Sequence, residues 1–307
     1  MPQGTEQVEA GVVVYNPPFS RSAIIALGVG ATGSDLPRIV QRGVYGTRVH
    51  TIFHPDIYEF NARIISGKGF KRKAPIQLVN EFSGVDQDGD ANPRKKRTEK
   101  GGGRQRAMKT RAKTRVKVFS GIKVDAVVLN EIGQAVLLHT ADCPTLVGCD
   151  TARGIVVAGH AGRDSLVSLI QDGWQGRLVS NMVTALHKGK TEKADLVFFS
   201  CVGIGPEYFS HPTDHEKYGD VNLLRNRTIA NEWGSDCFLG SDVDQGRLDL
   251  HLLIKRQLEM CGIPTENISS DAKLVDTYSS PNFHSRRARR RGPNGKSHNR
   301  ILVVKTS

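Results

Sequence analysis

Four short apolar runs between residues 123 and 160 constrain the fold of this chain most strongly. They are KVDAVVLN, QAVLLHTA, PTLVGCD and GIVVAGH, and turn-forming stretches such as EIG and DTARG separate them. Short apolar runs bounded by turns are typical of strands that are buried in a sheet. The sequence therefore predicts a buried β-sheet in the middle of the chain.

Further strands and helices are indicated on both sides of this sheet. GVVVY, AIIAL and RVHTIFH precede it, and DLVFFSCVGIG and RILVV follow it. Apolar residues recur at helical spacing between residues 166 and 186, with Asp164 or Ser165 as the N-cap, and predict one helix. LDLHLLIKRQLEMCG predicts a second helix that Gly262 ends. Strands and helices mixed around one core predict an α+β fold, with a single domain over residues 10–307.

The basic charge of the chain is concentrated in one segment. The sequence carries a net charge of +12, and residues 94–117 contain twelve Lys or Arg against Glu99 alone. Residues from about 67 to 120 are largely polar and glycine-bearing, so they predict a disordered insertion that cannot offset its ordering entropy. Such a segment attracts nucleic-acid phosphates, but it lacks aromatic residues for base stacking. A solvated loop is therefore favoured over a nucleic-acid-binding function.

Cysteine usage and hydropathy indicate a soluble cytoplasmic protein. The five cysteines, at positions 143, 149, 201, 237 and 261, form no CxxC pair. This pattern argues against a disulfide framework and for a reducing compartment. The start, MPQGTEQVEAG, lacks the regions of a secretory signal, and no apolar run is long enough to span a membrane. We expect a cytoplasmic protein with no membrane partner.

Cys143 and His160 stand out because each ends an apolar run and precedes a turn. Strand ends often present side chains to a cleft, and a thiolate with one or two imidazoles forms a reasonable zinc site. A third ligand is available from VHTIFHPDIYEF, which contains His50 and His54. Two buried, inert packing residues are the alternative interpretation.

The segments TADCPTLVGCD and GIVVAGHAG together resemble the signature of the YfiH-like family. This family was once described as polyphenol oxidases or laccase-domain proteins and is now regarded as purine nucleoside phosphorylases, in which a TADC motif precedes an HAGWRG motif. VGIGPEYF, LDLHLLIKRQLEMCGI and NFHSRRARRRGPNGKSHNR are similar to its IGP strand end, its late helix and its closing FFSYRR…GR segment. The resemblance covers residues 125–304 and implies α/β/β/α layers and zinc-dependent phosphorolysis of adenosine- or inosine-type nucleosides, with adenosine deamination as a further activity.

The resemblance also implies a ligand set for zinc. Cys143 and His160 match the family's motifs, and His54 best matches the histidine of its QVHG motif. His50 is an alternative for that position, and an alignment through VYGTRV would place Tyr45 there. Zinc bound by these residues would polarise or orient a reacting oxygen.

Other site residues follow from the same resemblance. Arg286 and Arg287 match arginines of the closing segment and would bind phosphate, since guanidinium forks suit oxyanions. Arg163 is the candidate replacement for the arginine of HAGWRG. Asp142 is a candidate proton acceptor or anchor for a ligand histidine, and capping the turn at Pro144 is its structural alternative.

The chain departs from the family at two motifs. HAGWRG is HAGRDS here, and the cysteine of the family's late CT motif is Asp276 in DTY. The alternative function is therefore a catalytically degenerate member that binds nucleic acid or the ribosome through its basic insertion.

Three other patterns are discounted. Multicopper chemistry needs closely paired histidines, and the chain contains no His-x-His. GVGATG is interpreted as a turn, because no strand ending in an acidic residue follows at the spacing of a dinucleotide site. His211 and His215 of HPTDH are interpreted as solvated loop histidines.

Overall fold

The computed structural model describes residues 6–9, 12–15, 24–29, 49–55, 64–66, 117–122, 124–167, 177–187, 191–270, 276–280, 283–288 and 298–306. These ranges contain thirteen strands: β1 Glu6–Glu9, β2 Val12–Tyr15, β3 Ile24–Val29, β4 Thr51–Pro55, β5 Ile64–Ser66, β6 Lys117–Ile122, β7 Ala126–Leu129, β8 Gln134–Thr140, β9 Thr145–Asp150, β10 Ile155–His160, β11 Leu196–Cys201, β12 Ile268–Ser270 and β13 Asn299–Lys305. They also contain four α-helices: α1 Arg163–Leu166, α2 Leu178–His187, α3 Gly219–Trp233 and α4 Leu250–Met260.

The strands form two mixed sheets. The seven-stranded sheet has the order β1-β2-β3-β13-β8-β4-β6, and the six-stranded sheet has the order β12-β11-β9-β10-β7-β5. In the first, β8 runs antiparallel to β13 and parallel to β4. In the second, β9 runs antiparallel to both of its neighbours, β10 and β11. Two chain segments essential for the site, the start of β9 and the end of β10, therefore lie side by side.

Alternating side chains divide the core into two layers. Val147 and Val156 of the six-stranded sheet pack with Val136 and Val303 of the seven-stranded sheet, whereas residues of opposite parity pack against the helices. The helix-facing layer includes Leu146, Val157, Phe198, Met182, Leu253 and Leu258. Leu137 and Leu302 lie on the other face of β8 and β13 and are also fully buried, so both faces of these central strands are covered.

The predicted α+β fold, with mixed sheets flanked by helices, is confirmed. β7 to β10 coincide with the four apolar runs, and α4 begins at the N-cap Asp249 and is followed by Gly262 at φ +79°. No described helix is long and apolar enough to cross a membrane. β1 lies before the predicted domain start at residue 10, and β6 begins at Lys117, inside the predicted insertion of residues 67–120. Residues 67–116, with nearly all of the basic segment, lie outside the described ranges.

The predicted helix between residues 164 and 186 is wrong as a single element. Its first turn is capped by Gly162 and not by Asp164 or Ser165, and it ends at Leu166 because Val167 is extended. The side-chain amide of Gln257 donates to the Leu166 carbonyl at 2.9 Å, which takes the acceptor that a continuing helix would use. Residues 168–176 lie outside the described ranges, and α2 spans Leu178–His187.

Candidate functional site

The hairpin of β9 and β10 brings Cys143 and His160 together. His160 is opposite Thr145 in the register, and the backbone N–H of Ala161 donates to the Pro144 carbonyl at 2.8 Å. A Cβ placed on Gly162 would lie 3.4 Å from the Cys143 Sγ and 2.8 Å from Cε1 of His160. Both side chains therefore border the same small space, and glycine at 162 leaves that space open.

The environment keeps both groups neutral in the absence of a cation. Burial, with a smaller contribution from the Asp142 charge, raises the pKa of the Cys143 thiol to about 12. Burial lowers the pKa of His160 to about 4. The Nδ1 of His160 is buried and has no hydrogen-bond partner in the part of the chain that the structure describes. A thiol and a neutral imidazole with an unused nitrogen are suited to a metal ion, since binding would release the thiol proton and use the nitrogen.

The third predicted ligand is placed only by its backbone. β4 runs parallel to β8 with Phe53 opposite Val136, so the backbone of His54 lies beside Leu137, three residues before β8 ends and six before Cys143. The side chain of His54 lies outside the description, as does Tyr45. Among the described side chains, no group of three potential ligands forms a metal site.

The alternative ligand His50 is directed elsewhere. Its Nε2 lies 2.8 Å from the Ile132 carbonyl oxygen, and its Nδ1 lies 2.9 Å from the Thr51 hydroxyl. Ile132 is in the turn before β8, whereas Cys143 follows the other end of that strand, about 20 Å away at the usual rise per residue. His50 is therefore wrong as a ligand partner of Cys143.

Asp142 connects the hairpin to the C-terminal part of the chain. Its Oδ1 accepts a hydrogen bond from the Thr277 hydroxyl at 2.9 Å, and its Oδ2 accepts one from the backbone N–H of Arg287 at 3.0 Å. Its backbone carbonyl accepts from the N–H of Ile204 at 2.9 Å. The carboxylate is buried and both of its oxygens have partners, which is the arrangement of an anchor.

The loop after β11 packs closely against Pro144, the residue that follows Cys143. Val202 has φ +54°, a conformation that is costly for a β-branched residue, and Gly203 follows it. A Cβ on Gly203 would overlap Nε2 of His251 and would lie 2.8 Å from Cγ of Pro144. Asp276, at the position of the expected late cysteine, accepts hydrogen bonds from the N–H groups of Gly205 and Tyr278. It therefore stabilises a turn here.

A cleft of about 320 Å³ includes Arg163, three residues after His160, in its lining. Pro212, Tyr218 and Val221 give it an apolar wall, and Arg163 and Arg287 give it a cationic one. Ser210, His211, His215 and Asn222 complete the lining. Of the predicted phosphate-binding arginines, Arg287 lines the cleft, whereas Arg286 does not.

Three guanidinium groups converge near the cleft. Arg225 on α3 binds the Asp164 carboxylate at 2.9 Å, and Arg163 lies 3.5 Å from the same oxygen. Nη1 of Arg163 also donates to Oδ1 of Asn222 at 3.4 Å. Burial, with repulsion from Arg225, lowers the pKa of Arg163 to about 10, so it remains charged at neutral pH. This cluster is suited to an anionic ligand group.

His211 is a cleft residue that the sequence interpretation missed. Nη2 of Arg287 lies 3.1 Å from its Nε2 and 3.4 Å from its Nδ1. Burial and the charges of Arg163, Arg287 and Arg225 lower the pKa of His211 to about 2. The histidine pair in HPTDH was the only sequence signal, since the arginines come from three distant segments. His215 is exposed and binds the N–H groups of Lys217 and Tyr218.

Comparisons with known proteins agree with this architecture. The family model described as multi-copper polyphenol oxidoreductase laccase matches residues 100–303. The hypothetical protein YfiH of Bacillus licheniformis is similar in fold, with a TM-score of 0.63 and 14% identity over 99% of both chains. YlmD of Geobacillus stearothermophilus gives 0.61 and 16% over 100% of both, and protein NMB0706 of Neisseria meningitidis gives 0.57 and 15% over 97% of this chain and 99% of that one. No curated protein matches the sequence.

Proposed function

The chain belongs to the multi-copper polyphenol oxidoreductase laccase family, and on that premise we propose that it is a zinc-dependent purine nucleoside phosphorylase. One observation carries the proposal. The Cys143 thiol and the Nδ1 of His160, which has no partner among the described residues, share a space beside a cleft with one cationic and one apolar wall. Such a cleft suits a ligand pair that combines an oxyanion with a flat, largely apolar base.

Cys143 and His160 would hold the zinc ion, with His54 of β4 as the third ligand that the sequence predicts. A soft thiolate with imidazole nitrogens is a donor set that zinc prefers. When bound, zinc polarises or orients a reacting oxygen. Asp142 keeps Cys143 in place through its hydrogen bonds to Thr277 and Arg287, so the residue before the ligand is fixed to two distant segments.

The two walls of the cleft would position the substrates of phosphorolysis. In this reaction a phosphate oxygen forms a bond to C1′ of the ribose while the bond from C1′ to the purine nitrogen breaks and its electron pair leaves with the base. Arg163 and Arg287 would bind phosphate from two sides. Tyr218 and Val221 are exposed apolar residues that would pack against the purine or ribose. Arg225 acts through Asp164 and fixes Arg163.

Cys143→Ser tests the proposal, with Cys261→Ser as the matched control. Cys261 is also partly buried, but it lies at the C-terminal end of α4, away from the hairpin. Serine is nearly isosteric but a poor zinc ligand, so Cys143→Ser should lose zinc by elemental analysis. Phosphate-dependent release of base from adenosine or inosine should fall more than the roughly 10–100-fold that loss of an outer-sphere partner costs.

The control variant should retain both zinc and base release. Thermal melting of the two variants in excess chelator would compare their folds without the metal. An unmutated protein that binds no zinc and releases no purine base would contradict the proposal.

A further inference from the structure

We propose that His211 is a proton-linked part of the anion subsite, and that it takes up a proton when a dianion binds between Arg163 and Arg287. The inference rests on the proposed function and deepens it, because phosphate is the dianion that phosphorolysis requires. The protonated imidazole of His211 would be a third hydrogen-bond donor in the subsite, formed only when the ligand binds.

The backbone of His211 is held firmly at the edge of the cleft. Its N–H donates to the Gly246 carbonyl at 3.0 Å, and its carbonyl accepts from the side-chain amide of Asn226 at 3.0 Å. Gly246 has φ +58°, and a Cβ there would overlap the His211 carbonyl oxygen. The imidazole packs edge-on against Phe209 at 4.6 Å between centroids. The ring is therefore positioned before any ligand arrives.

Arg287 requires the imidazole to be neutral in this arrangement. A guanidinium can only donate, so the nitrogen of His211 that faces its Nη2 must accept. Arg163 from α1 and Arg225 from α3 add further positive charge around the ring. The nearby carboxylates are engaged: Asp164 with Arg163 and Arg225, Asp142 with the N–H of Arg287, and Asp244 of the neighbouring loop with the Thr213 hydroxyl.

A bound dianion would favour the protonated form of His211. Burial and the three arginines lower the pKa of His211 to about 2. Two negative charges between the guanidiniums would offset their repulsion, and an anion oxygen would accept a hydrogen bond from the imidazolium. Since the pKa of His211 is then higher in the complex than in the free protein, binding draws a proton from solvent and becomes stronger as the pH falls.

Titration with sulfate tests this linkage. Sulfate stays a dianion between about pH 5 and pH 8, so its own protonation does not contribute, whereas phosphate titrates in that range. For the unmutated, zinc-bearing protein, calorimetry should show a Kd that tightens by up to about tenfold per pH unit as pH falls. Calorimetry in buffers of different ionisation enthalpy should show uptake of up to one proton per sulfate.

Two variants test whether His211 is the residue that takes up the proton when sulfate binds. His211→Gln should still bind sulfate through the arginines but should lose the pH slope and the proton uptake. His187→Gln, which changes an exposed histidine at the end of α2 that does not line the cleft, should keep both. The His211 ring can also be followed by NMR in the unmutated protein, where sulfate should move its Cε1–H signal to the imidazolium position.

Three results would overturn the inference: no sulfate binding, no pH slope in the unmutated protein, or an unchanged slope in His211→Gln. The titration needs no turnover, so it is separable from the proposed function. Base release without proton-linked sulfate binding would refute the role of His211 alone. Proton-linked sulfate binding without base release would refute the phosphorylase and leave the anion subsite in place.

Discussion

Two substitutions at Asp142 can distinguish whether its carboxylate serves as a structural anchor or as a proton acceptor. Its carboxylate accepts hydrogen bonds from the Thr277 hydroxyl and from the Arg287 N–H, which lie 135 and 145 residues away in sequence. An asparagine can turn its amide so that the oxygen accepts from Arg287 and the NH₂ group donates to the hydroxyl oxygen of Thr277. An alanine can do neither. Asp142→Asn therefore removes the charge alone, whereas Asp142→Ala also removes the hydrogen bonds to Thr277 and Arg287.

The structure sets the size of each effect. A hydrogen bond to a charged, buried group contributes about 1.5–3 kcal/mol, so Asp142→Ala, which loses two, should lower the free energy of unfolding by roughly 3–6 kcal/mol. Asp142→Asn keeps both contacts as neutral hydrogen bonds and should lose about 1 kcal/mol. As an anchor, Asp142 should tolerate asparagine with less than a tenfold loss of base release, whereas a proton acceptor should lose about 10²–10⁴-fold.

Urea denaturation gives the free energies, and hydrogen exchange at the Arg287 amide shows whether the C-terminal segment stays attached. Protection of that amide should fall in Asp142→Ala and persist in Asp142→Asn. Equal stability of both variants and the unmutated protein would refute the anchor. A folded Asp142→Asn protein with normal zinc content and no base release would show that Asp142 handles a proton.

Two further predictions concern the scaffold. Gly203→Ala would push a methyl group into His251 and Pro144, so thermal melting should show a loss of about 1–3 kcal/mol; the loss should shrink when His251 is also alanine, and an unchanged melting temperature would contradict the packing. Burial would raise the pKa of Asp150, but hydrogen bonds from Thr191 and Arg153 outweigh it and lower the pKa below its ordinary 3.8. Because the folded pKa is the lower one, this stabilisation is present above about pH 4 and is lost as pH falls through the folded pKa, so denaturation at several pH values should show the advantage over Asp150→Asn shrinking in acid.

The strands were predictable because burial of a strand leaves a local signal in the sequence. β7 to β10 are apolar at successive positions, since both faces of these strands are covered. α3 leaves no such signal. The residues it buries are Asn222, Arg225, Asn226 and Ile229, so its packed face is mostly polar and shows no hydrophobic period.

One part of the site was likewise predictable from the sequence and the other was not. Cys143 and His160 are seventeen residues apart on one hairpin, and strand pairing alone brings them together. The cleft is assembled from α1, the loop at residues 210–218, α3 and the segment around Arg287. No local pattern in one segment reports the charges of the others, so the sequence alone favours a solvated His211, whereas the structure places it in the cleft.

The polar residues that α3 buries and the HAGRDS segment are connected by a hydrogen bond and an ion pair. Asn222 binds the Pro212 carbonyl and Arg163, and Asn226 binds the carbonyls of His211 and Val243. Arg225 binds Asp164, the residue that stands where HAGWRG has arginine. The Arg225 guanidinium of α3 therefore pairs with the carboxylate that follows Arg163 in this segment. The buried polar residues of α3, which deprive it of a hydrophobic pattern, are the same residues that bind the cleft segments. A helix that orients arginines and histidines must bury polar groups.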